Sequence, residues 1–176
     1  MSFVRCALPA PAPIGVLTLG VTDAGLALVG FGHHPEAAER AAARLGEPLV
    51  DGYGGAAAVQ LAEYLAGERR AFDVPLDWRL TAGSQRKVLQ ALYDTVPFGT
   101  TVTYGELAAR SGLGRAHTAA RGVGSIMGSN PLPVVVPCHR VLGSDGLGGF
   151  GGGRATKEWL LALEGVLTPA LDFGSG

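Results

Sequence analysis

The sequence predicts an α/β protein in two parts. An amino-terminal domain, residues 1–80, carries a small antiparallel sheet and two helices; a mostly helical carboxy-terminal domain spans 81–167, and residues 168–176 form a tail. Three observations support this division. Residues 14–31 read as two aliphatic runs on either side of Asp23-Ala24-Gly25, the pattern of a hairpin. Alanine-rich stretches at 35–45 and 56–65 have helical composition, with Pro35 opening the first and Gly67 stopping the second. Beyond Pro75 come three helical stretches separated by short breakers, and the second and third flank Gly112-Leu113-Gly114 as a helix-turn-helix does.

In chain order, the hairpin packs its β-branched and aliphatic residues on one side and is followed by His33-His34-Pro35. Paired histidines with Cys6 upstream raise the question of a metal. No second cysteine lies nearby to complete a zinc ligand set, so a solvated turn is the simpler reading and no metal is expected. Gly46–Gly55 reads as a polar loop. The helix 56–65 places Val59, Ala62 and Ala66 on one side, with Leu61, Tyr64 and Leu65 beside them. Arg69–Leu80 reads as an extended strand turning into a linker, Pro75 favouring an edge position.

In the second half, Ser84 is placed as the N-cap of a helix carrying Val88, Leu89 and Leu92, which ends before Pro97-Phe98-Gly99. Thr103 caps a second helix, Tyr104 to Ser111, with Glu106 in the capping-box position. A third helix runs from Ala116 to Gly128. It tolerates Gly122 and Gly124, although an interior glycine costs about 1 kcal/mol relative to alanine. Such a helix needs its backbone to come close to something, either a neighbouring helix or an external partner. Val134-Val135-Val136, between Pro133 and Pro137, reads as a short strand buried on both faces, and a last helix covers Arg154–Glu164.

Composition narrows the setting. With 47% hydrophobic residues over 176 positions the chain can bury a sizeable core. No apolar run approaches the roughly 20 residues that span a bilayer, and the amino terminus lacks the basic start and apolar core of a signal peptide. Two cysteines far apart, Cys6 and Cys138, argue against a disulfide framework and for a reducing, cytoplasmic setting. The net charge is only −1, but residues 1–78 hold five Arg against nine Asp/Glu, whereas 79–157 hold nine Lys/Arg against three acids. A basic half can present phosphate-contacting charge on one face, though surface charge also clusters without function.

Chemistry concentrates at Cys138 and His139. A thiol becomes a useful nucleophile as thiolate, and a neighbouring imidazole or positive environment lowers its pKa. The competing reading is a small buried cysteine beside a surface histidine. The flanking residues shift the weight. Asn130-Pro131, five residues, then Pro137-Cys138-His139-Arg140-Val141, a glycine-rich loop and a helix ending Leu160-Leu161-Ala162-Leu163-Glu164 together resemble the active-site signature of the O6-alkylguanine-DNA alkyltransferases. Pro13-Ile14-Gly15 with Leu17-Thr18-Leu19, Gln60–Gly67 and Thr101–Gly105 resemble further parts of that family. The resemblance covers about Pro13 to Glu164.

This resemblance implies an RNase H-like amino-terminal domain and a winged helix-turn-helix in the second. It implies a cytoplasmic monomer, nucleoid-associated if bacterial, with double-stranded DNA containing alkylated guanine as partner, bound through the minor groove, no cofactor, and one irreversible transfer of the alkyl group to Cys138, O4-alkylthymine being a further substrate class. His139 would take the thiol proton through water, and Glu164 would orient the imidazole; otherwise Glu164 is a terminal residue fraying into solvent. Tyr104 would move the target phosphate and donate its proton towards the guanine ring, or else serve as a hydrophobic staple. Asn130 would tie the DNA-binding turn to the active-site segment. Arg121 would fill the gap left by the extruded base, with Ala120, Gly122, Ser125 and Arg115 on the DNA-facing side. The substrate pocket would comprise Val136, Pro133, Met127, Phe150, Gly151 and Arg140. Five features depart from the family pattern: Gly122 stands for alanine, Phe150 for tyrosine, Ser84 for phenylalanine, the turn before the third helix is about three residues longer, and the glycine-rich loop 143–153 is one residue shorter. Two other classes remain to be separated, a non-catalytic module that binds alkylated bases and a cysteine hydrolase using Cys138 and His139.

Overall fold

The computed structural model describes residues 2–33, 35–114, 117–143 and 146–167. The amino-terminal half is a four-stranded sheet in the order β3-β2-β1-β4, built from β1 (Phe3–Pro9), β2 (Val16–Thr22), β3 (Gly25–Phe31) and β4 (Leu49–Asp51). The expected hairpin is β2–β3: Thr22 pairs with Gly25, and the Thr22 hydroxyl accepts from the Ala24 amide at 3.1 Å. Gly25 is required there, because a Cβ on it would lie 2.2 Å from the Pro75 carbonyl oxygen. The first and last strands of this sheet in chain order, β1 and β4, were not foreseen. β1 occupies the centre of the sheet, antiparallel to β2 and parallel to β4, so the sheet is mixed and the expected polar loop 46–55 contributes an edge strand.

Two helices cover this sheet. α1 (Pro35–Leu45) buries Ala38, Ala41 and Ala42 against Phe3, Ala27 and Leu80. α2 (Gly55–Leu65) buries Ala57, Gln60, Leu61, Tyr64 and Leu65, so its core face is rotated from the expected one: Val59, Ala62 and Ala66 are exposed. Gln60 is buried because the chain beyond the helix uses it, with the Asp73 amide donating to its Oε1 at 3.0 Å. That pairing also explains why Arg69–Leu80 is not a strand. The segment makes a single bridge, Leu76 to Leu26, and then a 3-10 turn at Trp78–Leu80 capped by Asp77.

The second half is helical, as expected. α3 (Gly83–Thr95) buries Val88, Leu89 and Leu92, but its N-cap is Ala82, without a side-chain cap, rather than Ser84. α4 (Tyr104–Arg110) starts with the full capping box: the Thr103 hydroxyl accepts from the Glu106 amide at 3.1 Å, and the Thr103 amide donates back to Glu106 at 2.8 Å. α5 (His117–Gly128) packs on α4 through Val123 and Met127. Two short strands, β5 (Val102–Thr103) and β6 (Val141–Leu142), pair in parallel and tie the start of α4 to the segment after Cys138. α6 (Arg154–Leu163) closes the chain's described portion, burying Leu160 and Leu161.

One hydrophobic core runs through both halves, from Leu17 and Leu61 to Leu107 and Leu160. Among the described residues, no helix is long and apolar enough to cross a membrane. Arg115 and the tail 168–176 lie outside the described residues.

Candidate active site

The three valines are buried as expected, but they do not form a strand. Val134 has φ +76°, an unusual conformation for a β-branched residue, and the Val136 amide donates to the Leu132 carbonyl at 2.8 Å. The chain therefore turns through 133–136 and delivers Cys138, His139 and Arg140 on a 3-10 turn. Asn130 holds this turn from inside. Its Nδ2 donates to the Val136 carbonyl at 3.0 Å, and its Oδ1 accepts from the Leu132 amide at 2.9 Å. The turn is docked on the sheet by the Val29 amide, which donates to the Pro131 carbonyl at 2.8 Å.

Cys138 sits at the floor of a cavity of about 210 Å³ lined by Tyr104, Gly124, Met127 and Gly128 on one side and Gly149, Phe150 and Gly151 on the other. A second opening of about 250 Å³, lined by Phe31, Asn130, Pro133 and Phe150 among others, reaches the same sulfur. Of the expected pocket residues, Met127, Phe150, Gly151 and Pro133 line these spaces. Val136 and Arg140 do not. Val136 is fully buried in the core behind the thiol, and Arg140 is turned away from the cavity.

Arg140 instead grips Glu164. Its Nε donates to Glu164 Oε1 and its Nη2 to Oε2, both at 2.8 Å, while Nη1 donates to the Val96 carbonyl at 2.7 Å. His139 Nε2 lies 2.8 Å from the same Oε2. The Tyr64 hydroxyl donates to Oε2 at 2.5 Å, and the Gly99 amide to Oε1 at 3.3 Å. Glu164, which terminates α6, is thus 5% exposed and does not fray into solvent. Burial pushes its carboxyl up, but hydrogen bonds from His139 and Arg140 outweigh this and hold it well below the usual carboxylate range. An ionised carboxylate only accepts, so the network assigns the proton of His139 to Nε2 and leaves Nδ1 as the acceptor. Nδ1 is buried and has no hydrogen-bond partner among the described residues.

The electrostatics differ from the expected activated thiol. Burial pushes Cys138 up to about 11, against the opposing influence of Asn130 and the charge of Lys157. Burial likewise lowers His139, more than Glu164 raises it. Burial thus favours the neutral form of both the thiol and the imidazole.

Lys157 was not foreseen as a site residue. It is 1% exposed, and its ammonium donates to the carbonyls of Val141 (2.7 Å), Gly149 (3.1 Å) and Leu147, pinning the cavity wall to β6. Burial brings it down to about 8. Only its position one turn before Leu160 and Leu161, on the apolar side of α6, hinted at burial. Lys157→Met keeps the length but strands three carbonyls, each unmade bond costing about 1–3 kcal/mol. The expected outcome is a clearly lowered Tm and faster amide exchange at 147–149, measured by thermal unfolding and hydrogen exchange. The wall also needs a glycine: at Gly148, with φ +75°, a Cβ would lie 2.5 Å from the Tyr104 hydroxyl.

On the helix-turn-helix, Arg121, Gly122 and Ser125 are exposed and Ala120 is partly so. Nothing described in the protein crowds Gly122 within 4 Å, and a Cβ at Gly124 would only touch the Tyr104 ring at 3.9 Å. Internal packing therefore does not demand the small residues of α5.

Comparison with known proteins agrees with this geometry. Residues 9–78 match the family model for the 6-O-methylguanine DNA methyltransferase ribonuclease-like domain, and 83–166 match that for the 6-O-methylguanine DNA methyltransferase DNA binding domain. A methylated-DNA–protein-cysteine methyltransferase of Mycolicibacterium paratuberculosis is 51% identical over 114 residues, covering 63% of this chain and 65% of the relative, slightly under two thirds of its length. The crystal structure of a Mycobacterium tuberculosis O6-methylguanine methyltransferase superposes with a TM-score of 0.75 at 38% identity, covering 96% of both chains. That of Mycobacterium tuberculosis OGT in complex with DNA gives 0.76 at 38% identity, covering 95% of this chain and 96% of that one. The chain belongs to the 6-O-methylguanine DNA methyltransferase family.

Proposed function

We propose that this protein repairs O6-alkylguanine in duplex DNA by moving the alkyl group to its own Cys138, once per molecule. The observation that carries the reading is one thiol lining the cavity, followed in the chain by an imidazole whose Nε2 is held by a buried, ionised Glu164. The sulfur–carbon bond forms as the carbon–oxygen bond to guanine breaks. The thiol proton passes through water to His139 Nδ1, the departing guanine takes one proton from the hydroxyl of Tyr104, which lines the cavity, and the imidazolium returns its proton to the phenolate through water. Atoms and charge balance, the alkyl donor is the lesion, and no cofactor enters. A thioether has no leaving chemistry under cellular conditions, which makes the transfer irreversible.

A stacked base cannot present its O6 substituent in line with the thiol, so the nucleotide leaves the helix at a cost of a few kcal/mol. The cavity is bounded by α5, whose exposed glycines suit a minor groove that admits a helix only when its side chains are small. Arg121 projects from that face and fills the vacated space. Phe150 keeps a stacking surface for the base although it lacks a phenolic hydroxyl. Intact-mass measurement after mixing with an O6-methylguanine oligonucleotide tests the reading: one methyl mass at Cys138 is expected, and an unmodified protein that still binds the lesion would favour the non-catalytic module. Multiple turnovers on an ester would favour the hydrolase.

Glu164→Gln follows from the same geometry. The imidazolium loses its counter-charge, so alkylation slows by about tenfold to a hundredfold and the acid limb set by His139 moves to lower pH. Arg140 is left buried without its anion, which costs about 3–5 kcal/mol. A stopped-flow pH series with a parallel unfolding curve checks both; an unchanged pH dependence removes Glu164 from the orienting role.

A further inference from the structure

We infer that Tyr64, supplied by the amino-terminal domain, is a positioning residue for proton transfer at Cys138: its hydroxyl occupies the Glu164 oxygen that His139 also uses and so sets how strongly that carboxylate draws the imidazole proton. The inference rests on the alkyl-transfer reading and deepens it. Gln60, Leu61 and Tyr64 share the buried face of α2, and this periodicity sends the Tyr64 ring across the boundary between the two halves of the chain. There the ring packs against Phe72 (centroids 5.4 Å apart) and Phe98 (6.3 Å), with no exposed surface. Its hydroxyl donates to Glu164 Oε2 at 2.5 Å and lies 3.5 Å from His139 Nε2. Burial and the Glu164 charge raise the phenol far above its ordinary range, so it remains a donor throughout the working pH range.

Three hydrogen atoms thus converge on one oxygen, from Tyr64, His139 and Arg140. Each donor neutralises part of the carboxylate charge, and what one takes the others lose. The groups acting on His139 are Glu164, which favours the imidazolium, and Arg140 and Lys157, which oppose it; Cys138 precedes it in the chain and is neutral at rest. Tyr64 carries no charge and acts through Glu164. Its removal returns charge to Oε2, holds the imidazolium more firmly and keeps His139 protonated to higher pH. A protonated His139 cannot accept the thiol proton, so the acid limb of the reaction moves upward.

The test follows alkylation of Cys138 by free O6-benzylguanine from pH 6 to 9 in three proteins: wild type, Tyr64→Phe, and a protein with 3-fluorotyrosine at position 64. Free base removes DNA binding from the comparison. In Tyr64→Phe the ratio of the rate at pH 8 to that at pH 6 rises by about threefold or more over wild type. Fluorotyrosine, a more acidic phenol and stronger donor of nearly the same shape, lowers the ratio, which keeps the inference testable where the Phe variant folds poorly. NMR titration of the His139 ring moves in the same two directions. A uniform loss of rate with an unchanged ratio, or a His139 titration identical in the three proteins, would overturn the role of Tyr64 while leaving the function intact. Should wild type take up no alkyl group, the functional reading fails instead, and the His139 titration still decides the hydrogen-bond assignment.

Discussion

Cys138→Ser is expected to abolish alkyl transfer, lowering its rate by about a thousandfold or more, while leaving lesion binding in place. A serine hydroxyl has nearly the volume of a thiol but is far less ionised and far less nucleophilic at neutral pH. The cavity shape, the Asn130 bracket and the Glu164 network do not depend on the sulfur, so the variant still folds and receives the base. The same substitution tests the electrostatics. In the folded protein the thiol keeps its proton up to about pH 11, whereas the unfolded chain releases it near its ordinary value of about 8.5. The folded-state pKa is raised, so this group's contribution to stability is complete below the unfolded value and is lost as pH rises towards the folded one. Serine does not titrate in that window. The wild type should therefore lose more stability than Cys138→Ser between pH 8 and pH 10.5 in parallel unfolding curves. Equal losses would mean that the thiol is not buried as a neutral group, and methyl transfer by the variant near the wild-type rate would remove Cys138 as the acceptor.

The parts of the fold that were legible are those in which local chemistry and tertiary structure agree. The Asp23-Ala24 turn, the Pro35 and Gly67 helix boundaries, and the Thr103/Glu106 capping box each carry their own instruction within a few residues. The failures have a common physical source: long-range partners. Phe3–Pro9 has no clear alternation, yet it becomes the central strand because β2 and β4 pair with it on either side. Val134–Val136 has every local mark of a strand, but among the described residues no strand pairs with it, and Asn130 takes the hydrogen bonds of a tight turn. Ser84 looked like a cap by composition; the helix begins two residues earlier than that cap implies, with Ala82 as N-cap and Gly83, at φ +56°, as its first residue.

The site divides the same way. Cys138, His139 and Glu164 could be named because the flanking motif is dense and specific; the structure pairs His139 with Glu164 and places Cys138 on the cavity lining. Arg140 was placed in the pocket through the family resemblance, yet its planar guanidinium matches a carboxylate, and the buried Glu164 needed a cation more than the cavity did. Tyr64 lies 100 positions from Glu164, and on sequence alone it is one more aromatic on an amphipathic helix. Its hydroxyl was the only signal, since a buried tyrosine needs a partner for that group. Lys157 was similar: a lysine on the apolar side of a helix is expensive unless acceptors surround it, and the three carbonyls that do so come from a loop whose course no periodicity predicts.

Arg121→Ala separates base extrusion from chemistry. If the side chain holds the gap in the duplex, its loss removes part of the few kcal/mol that extrusion requires, and repair of double-stranded DNA slows by roughly tenfold to a thousandfold. Free O6-benzylguanine has no stack to leave. It reaches Cys138 through a cavity that Arg121 does not line, so its reaction should proceed at close to the wild-type rate. The side chain is exposed on α5 with no hydrogen-bond partner among the described residues, so its truncation should cost little stability and the comparison is clean. The competing role is a phosphate contact, such as Arg86 or Arg110 could make. A phosphate contact is screened, and its loss weakens binding in a way that lowering the salt largely restores. An inserted side chain works by occupying space and is not replaced by a change in ionic strength. Single-turnover rates on duplex and on free base, each at low and at moderate salt, distinguish the two. The expected result is a duplex-specific defect that persists at low salt. Full recovery at low salt, or an equal fall on the free base, would show that Arg121 acts by charge or through the fold and not by holding the duplex open.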